Sequence, residues 1–457
     1  MRSEKIPGER LSVLWVALGL RTVSLEKCGD LDQVSFNCRK IVLPPDESNV
    51  ELKCFIYRSL WPLCHYSIDW CVFKEKYWKA YLEINKKAAV VVANECRKDQ
   101  LVWVHDYHLA LLPAFIRSRV VCGGIGLFWH VPFPPPEILD LLPWADKLLE
   151  GLLGSDVVGF HDTGDASNFL ACTERLLGKK VNHQEGTISF KERRVRVTTI
   201  PVGVSWNKLQ GMAACPRVAA AAHKLRQNIG SRCVILSVDS LDYTNGILEK
   251  LAALDVLWDQ YPAYRGPVSL VQIVTPDTAG LPEYQRLKSR IDEAVGRLNG
   301  KYGRDDWVPV HYFYRLFHPA DLAAYYKAAD VMLETPLRNG HSLVAKEFVA
   351  LKNEGRGVLL LSEFTGAVND FPGALMVNPY EPYAFADKIK AGVEMPGEEQ
   401  HRLLTVWRQR VVRCNFEWWL QSFLKVLAND KEGKQAYPTE WTHDGKKFTV
   451  PGRQASG

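Results

Sequence analysis

Three short runs place residues able to do chemistry directly after apolar stretches. In Leu101-Val-Trp-Val-His-Asp-Tyr-His-Leu109, the polar residues His105, Asp106 and His108 end a strand-like run and open a helix. Asp106 at that junction is suited to cap the helix or to accept hydrogen bonds from a sugar. His105 and His108, spaced i,i+3, are also half of a metal site, but the run supplies no third ligand. In Phe128-Trp-His-Val-Pro-Phe-Pro134, His130 ends a strand and the following prolines stop further pairing. That imidazole either projects from a rigid edge or is buried and satisfied. In Leu337-Arg-Asn-Gly-His-Ser-Leu-Val-Ala-Lys-Glu347, the residues Asn339, Gly340, His341 and Ser342 link a strand to a helix opening at Leu343. A glycine turn at a helix N-terminus presents free N–H groups and the positive dipole end, which suits a diphosphate. Glu347, about one turn further on, meets ribose hydroxyls or merely solvent.

These runs need elements to hold them, and from residue 76 onward strands and helices alternate. Helices are expected at Lys76–Asn94, Leu109–Arg119, Pro135–Leu153 and Asp165–Leu177, between strands at 100–104, 125–130, 157–160 and 194–200. The pattern pauses after Val204 and restarts at Val234 with an apolar strand. It continues with helices at 246–261, 283–299, 320–329 and 343–352, between strands at 268–274, 308–313, 331–334 and 358–361. Such alternation implies parallel sheets covered by helices on both faces. The expected architecture is α/β: two Rossmann-like domains, residues 1–205 and 206–428, facing one cleft, with a polar tail over 429–457. Ligands of such sheets bind beyond the carboxyl ends of the strands, where all the polar residues above fall. Gly123-Gly-Ile-Gly126 precedes its strand instead of following one, so it is not a dinucleotide loop.

Bulk properties narrow the function classes. A chain of 457 residues is too long for one ordinary core. The 57 basic residues are dispersed among 52 acidic ones, without the basic block of a nucleic-acid arm. Eleven cysteines, an odd number with no C-x-x-C pair, read as reduced thiols in the cytoplasm. Leu11–Leu20 is too short to span a bilayer and reads as a buried strand, so no membrane partner is expected.

Taken together, several segments resemble the glycosyltransferase half of trehalose-6-phosphate synthases, glycosyltransferase family 20, and look nearest to animal forms. They include Leu60-Trp-Pro-Leu63, the runs around Asp106 and His130, Leu149-Glu-Gly-Leu-Leu-Gly154, Val158-Gly-Phe-His161, Gly296-Arg-Leu-Asn-Gly300, Leu343-Val-Ala-Lys-Glu-Phe-Val-Ala350 and Leu361-Ser-Glu-Phe-Thr-Gly-Ala367. The similarity spans roughly residues 58–428. It implies a GT-B fold whose C-terminal helix, near Glu417–Val426, packs back on the N-terminal domain. It also implies retaining glucosyl transfer from UDP-glucose to glucose 6-phosphate, as in trehalose biosynthesis, with no metal or other cofactor. Carried over position by position, Trp61, Asp106 and His130 match acceptor or glucosyl contacts, with Asp106 and His130 at the reacting centre. Gly340, His341, Ser342 and Leu343 match the donor loop, and Glu347 the ribose contact.

Departures from the family pattern are concentrated on charge. The family's basic pair becomes Ser240 and Asn245 within Val238–Gly246, and the acceptor-phosphate arginine becomes Thr278. The donor-loop aspartate becomes Asn339, and His341 and Ser342 replace a methionine and an asparagine. The first strand and Gly-Gly loop expected ahead of a segment like Trp15 are missing, which implies an incomplete N-terminal domain. The expectation is a transferase of this type with weakened activity. The alternative is a catalytically impaired pseudoenzyme, a regulatory or scaffolding subunit of an active synthase, and a homo-oligomer is also open.

Overall fold

The computed structural model describes residues 11–19, 34–42, 47–276, 280–429, 440–443 and 446–449. Thr278 lies outside the described residues.

Leu11–Gly19 (β1) pairs in parallel with Val34–Val42 (β2), as a two-stranded sheet apart from the larger one. Leu11–Gly19, the described part of the run Leu11–Leu20, is therefore a strand, as read. It lies against the long Glu75–Glu95 helix. The six-stranded N-terminal sheet is built from Leu101–His105 (β3), Gly124–Phe128 (β4), Val157–Phe160 (β5), Val181–Asn182 (β6), Thr187–Phe190 (β7) and Arg193–Thr199 (β8). Its order is β3-β4-β5-β8-β7-β6, parallel from β3 through β8 and antiparallel beyond.

Cys233–Ser240 (β9), Val268–Thr275 (β10), Val310–Tyr314 (β11), Val331–Glu334 (β12), Val358–Ser362 (β13) and Leu375–Val377 (β14) make the second sheet, all parallel. The order β11-β10-β9-β12-β13-β14 reverses direction between β9 and β12. That reversal opens a crevice at the carboxyl ends of those two strands, where ligands of doubly wound sheets sit.

Two expectations need correction. Pro135–Leu153 is two helices, Pro136–Leu139 and Ala145–Leu152, because Pro143 cannot lie inside a helix. The pause at 204–232 is not a bare linker: it holds helices Trp206–Ala214 and Pro216–Ile229. Pro216 opens the second of these and Gly230, at φ +73°, closes it. Both pack on the second domain, where Arg226 donates to the Ala328 carbonyl and pairs with Asp330 at 2.7 Å. In the tail, Glu440–His443 and Lys446–Thr449 pair as a two-stranded antiparallel sheet.

The helix Phe416–Asn429 crosses back to the N-terminal sheet. Its Phe423 is fully buried over β4 and β5, at positions where only glycine fits. A Cβ on Gly126 would lie 2.8 Å from that ring, and one on Gly159 equally close. The two crossings between domains touch: a Cβ on Gly203 would sit 2.0 Å from the Cys414 carbonyl oxygen. Among the described residues no helix is long and apolar enough to cross a membrane.

Candidate functional site

The crevice between β9 and β12 is bordered by the two loops that follow them. At the end of β9, the exposed Ser240 bonds to the half-buried Asn245 of the following loop: Asn245 Nδ2 donates to the Ser240 carbonyl at 2.9 Å and to its Oγ at 3.0 Å. Asp242 lies buried beneath, accepting from Thr244 N–H and from Tyr284 Oη at 3.0 Å. Burial raises its carboxyl, and these donors oppose the shift. Gly246, at φ +65°, then turns the chain into the Ile247–Gln260 helix, since its Cβ would meet the Thr335 carbonyl at 2.7 Å. Behind β9 the fully buried Lys250 pairs with Asp239 at 2.7 Å.

The loop after β12 is held by its own backbone. Asn339 N–H donates to the Phe364 carbonyl, Gly366 N–H donates to the Asn339 carbonyl, and Asn339 Oδ1 accepts from His341 N–H. A Cβ on Gly366 would lie 2.0 Å from the Gly340 carbonyl oxygen, so only glycine allows that approach. Ser342 Oγ accepts from Ala345 N–H at 3.0 Å and so caps the Leu343–Leu351 helix. Leu343 is the first residue of that helix and is partly exposed. Glu347 accepts from Tyr326 Oη at 3.0 Å; burial raises its carboxyl.

Across the cleft, three consecutive strands of the N-terminal sheet end near a histidine. His105 closes β3, His130 follows β4 and His161 follows β5. Asp106, beside the first, has φ +66° and ψ 173°, a region that costs a non-glycine residue about 1–3 kcal/mol. Three bonds hold it there: its own N–H donates to Phe128 at 2.7 Å, and its Oδ1 accepts from Tyr107 N–H at 2.9 Å and His130 N–H at 3.2 Å. Burial pushes the Asp106 carboxyl up to about 6, against those two amides. His108 lies 3.9 Å from it and is itself lowered to about 4 by burial, so the two are not an ion pair at neutral pH.

The raised carboxyl gives a testable expectation. In substrate-free protein the Asp106 side-chain carbon should titrate near 6, well above an ordinary aspartate, in a carbon-13 NMR titration. The folded state then holds the proton more tightly than the unfolded chain. Asp106 therefore favours folding at low pH, and that contribution fades as pH rises through about 6. Above that pH the carboxylate is ionised and able to accept. Titration near 4 would contradict the burial assigned to it.

Several contacts join the two sides. Arg58 makes a bidentate pair with Glu283 at 2.6 and 2.7 Å, and Trp70 stacks on Tyr243 with ring centres 4.4 Å apart. Arg338 lies over the Tyr66 ring at 3.7 Å. Trp61 Nε1 donates to Asp242 Oδ1 at 3.3 Å, and His341 Nδ1 bonds the His130 carbonyl at 3.1 Å. The residues singled out from sequence thus converge from both domains: Trp61, Asp106 and His130 on one side, Ser240, Asn245 and the loop from Asn339 to Leu343 on the other. Sequence reasoning quoted His161 and Gly366 only within the segments that carry the resemblance and gave no site role to them or to Asp242. The signal for His161 was available, because Val-Val-Gly-Phe-His repeats the apolar-run-then-histidine pattern of the two preceding strands.

The family model described as Glycosyltransferase family 20 matches residues 10–429, reaching further toward the N-terminus than the 58–428 expected. Among similar proteins, the bifunctional trehalose-6-phosphate synthase/phosphatase of Thermoproteus tenax is 41% identical over 383 residues, 83% of this chain and 52% of that protein. The chain thus spans about half the length of that relative. The trehalose-6-phosphate synthase of Mycobacterium avium is 37% identical over 404 residues, 87% of this chain and 82% of that protein. A crystal structure of the UDP-forming alpha,alpha-trehalose-phosphate synthase from Burkholderia xenovorans in complex with glucose-6-phosphate superposes with a TM-score of 0.85 at 29% identity. It covers 91% of this chain and 94% of that one.

Proposed function

We propose that this chain, which belongs to glycosyltransferase family 20 and has its GT-B fold, transfers glucose from UDP-glucose to glucose 6-phosphate with retention. The observation that carries the reading is the convergence of two strand-end clusters on one cleft, with Asp106 strained and held opposite the Gly340 loop. On this reading residues 1–205 form the acceptor side and 206–428 the donor side. Trp61, Asp106 and His130 contact the acceptor and the glucosyl unit, and Thr278 replaces, in the sequence pattern, the arginine that meets the acceptor phosphate. Ser240, Asn245, Asn339, Gly340, His341, Ser342 and Leu343 border the diphosphate, and Glu347 the ribose.

The chemistry follows from what these groups can and cannot do. Asp106, ionised above about 6, accepts hydroxyl hydrogens and fixes the sugar. The departing diphosphate takes the acceptor hydroxyl's proton as its own bond to the anomeric carbon breaks and the acceptor oxygen bonds to that carbon on the same face. The enzyme's task is then orientation and stabilisation of that negative charge. Here the stabilisation falls to backbone N–H groups at the Leu343 helix N-terminus and to neutral Ser240 and Asn245. Neutral hydrogen bonds are about half as strong as charge-assisted ones, so turnover is slow. A cytoplasmic location belongs to the same proposal and rests on the eleven dispersed cysteines.

One observation favours a second reading. Asn245 already spends its amide on Ser240, as a pair no longer serving an anion would. On this reading the chain is a catalytically impaired regulatory or scaffolding subunit of an active synthase. Acceptor-dependent release of UDP by the purified chain decides between the two.

A further inference from the structure

The strand-end histidines form a continuous hydrogen-bonded chain. His105 Nδ1 lies 3.2 Å from His130 Nε2, and His130 Nδ1 lies 3.1 Å from His161 Nε2. At the far end, His161 Nδ1 accepts from the Val202 backbone N–H at 3.3 Å. Burial lowers His130 to about 2 and His161 well below its ordinary value, and desolvation lowers His105, the most exposed of the three, in the same direction. All three are therefore neutral at pH 7, each with one N–H and one bare nitrogen.

A backbone N–H can only donate, so it sets the direction of the whole chain. Val202 N–H requires a bare Nδ1 on His161, which puts that ring's proton on Nε2. His161 Nε2–H then donates to His130 Nδ1, and His130 Nε2–H donates to His105 Nδ1. The Val202 backbone is also held on its carbonyl side, in the next peptide unit, because Lys346, paired with Asp370 at 2.8 Å, donates to that carbonyl at 2.6 Å. The competing partner is the Ile200 carbonyl, which favours a proton on His161. Were it to win, every bond in the chain would reverse and the buried Val202 N–H would lose its acceptor. Buried N–H groups go unpaired less often than carbonyls do.

We propose that His161, oriented by the Val202 amide, is a positioning residue that fixes His130 as the Nε2–H tautomer. His130 then meets a substrate oxygen as a hydrogen-bond donor and is unable to act there as a base. His105 Nδ1 holds that hydrogen until a sugar oxygen takes its place. The tautomer is a property of the folded chain; its use in transfer rests on the function proposed above. His341 stands outside the chain: its Nδ1–H donates to the His130 carbonyl, and its ring packs 4.2 Å from His161, limiting that ring's rotation.

The test is long-range proton–nitrogen NMR on protein labelled with nitrogen-15 in its histidines, near pH 7 and without substrate. Signals are assigned by substituting the histidines one at a time. The expected spectrum shows protons on Nε2 of both His130 and His161. His161→Gln, which keeps an N–H donor of similar reach, should preserve the His130 tautomer. His161→Phe should lose it, giving a mixture, and should lower kcat more than His161→Gln while leaving KM for glucose 6-phosphate close to normal. Protons on Nδ1 of His130 and His161 in the unsubstituted protein would overturn the inference, even if His161→Phe failed to fold. Correct tautomers in a protein without transfer would instead overturn the proposed function and leave this inference standing.

Discussion

Replacing Ser240 by arginine and Asn245 by lysine together should raise acceptor-dependent UDP release by about 10²–10³-fold for each cation that engages. The structure gives the reason and the room. Both side chains are at the mouth of the crevice between β9 and β12, Ser240 is exposed and Asn245 half-buried at their mutual bond, and that bond is the only hydrogen bond they are seen to make to side chains among the described residues. Breaking it costs little, about 0.5–1.5 kcal/mol in a half-solvated setting. The gain is larger, because the leaving diphosphate gathers charge in the transition state and a preorganised cation meets it there. Steady-state assays of the double variant against the unsubstituted chain measure the difference, with unfolding midpoints confirming an intact fold. A well-folded variant with less than tenfold gain would show that charge at these positions is not what limits turnover.

The largest stability effect belongs to Lys250. Its ammonium is fully buried, 2.7 Å from Asp239 Oδ1 and 3.0 Å from Ser237 Oγ, while Gln272 Nε2 donates to Asp239 Oδ2 at 2.8 Å. Lys250→Met would leave the Asp239 carboxylate buried with only neutral donors. That should cost about 3–5 kcal/mol, read as a lower midpoint in urea. Adding Asp239→Asn removes the stranded charge and should recover a large part of the loss. Asp239 immediately precedes Ser240, so the single variant should also loosen the donor side. A cost under about 1 kcal/mol for Lys250→Met would mean that the pair does not anchor β9 as described.

How far the sequence could be read depended on which force set each feature. The apolar runs of β3, β4, β5, β9 and β12 were plain, because a strand buried on both faces has little choice of composition. The residues at their ends, Asp106, His130 and Asn339, followed from knowing where strands stop. The 204–232 stretch was read only as a pause, although Pro216 and Gly230 bracket a helix there. Pro143 was there to be seen, and it splits the helix read across it. Other features depend on contacts between residues far apart in the chain. The approach of Gly366 to Gly340, the Arg58–Glu283 pair and the direction of the histidine chain needed coordinates. The exchange of basic residues for Ser240 and Asn245 was visible from residue types, but their bond to each other was not.

The most direct measurement is the rate at which the purified, unsubstituted chain releases UDP from UDP-glucose, with and without glucose 6-phosphate. The account predicts release that is slow, strictly dependent on the acceptor and matched mole for mole by phosphorylated disaccharide. Fast turnover would contradict the claim that missing cations limit this cleft. No acceptor-dependent release, either here or in the variant with both cations restored, would contradict the transferase reading itself.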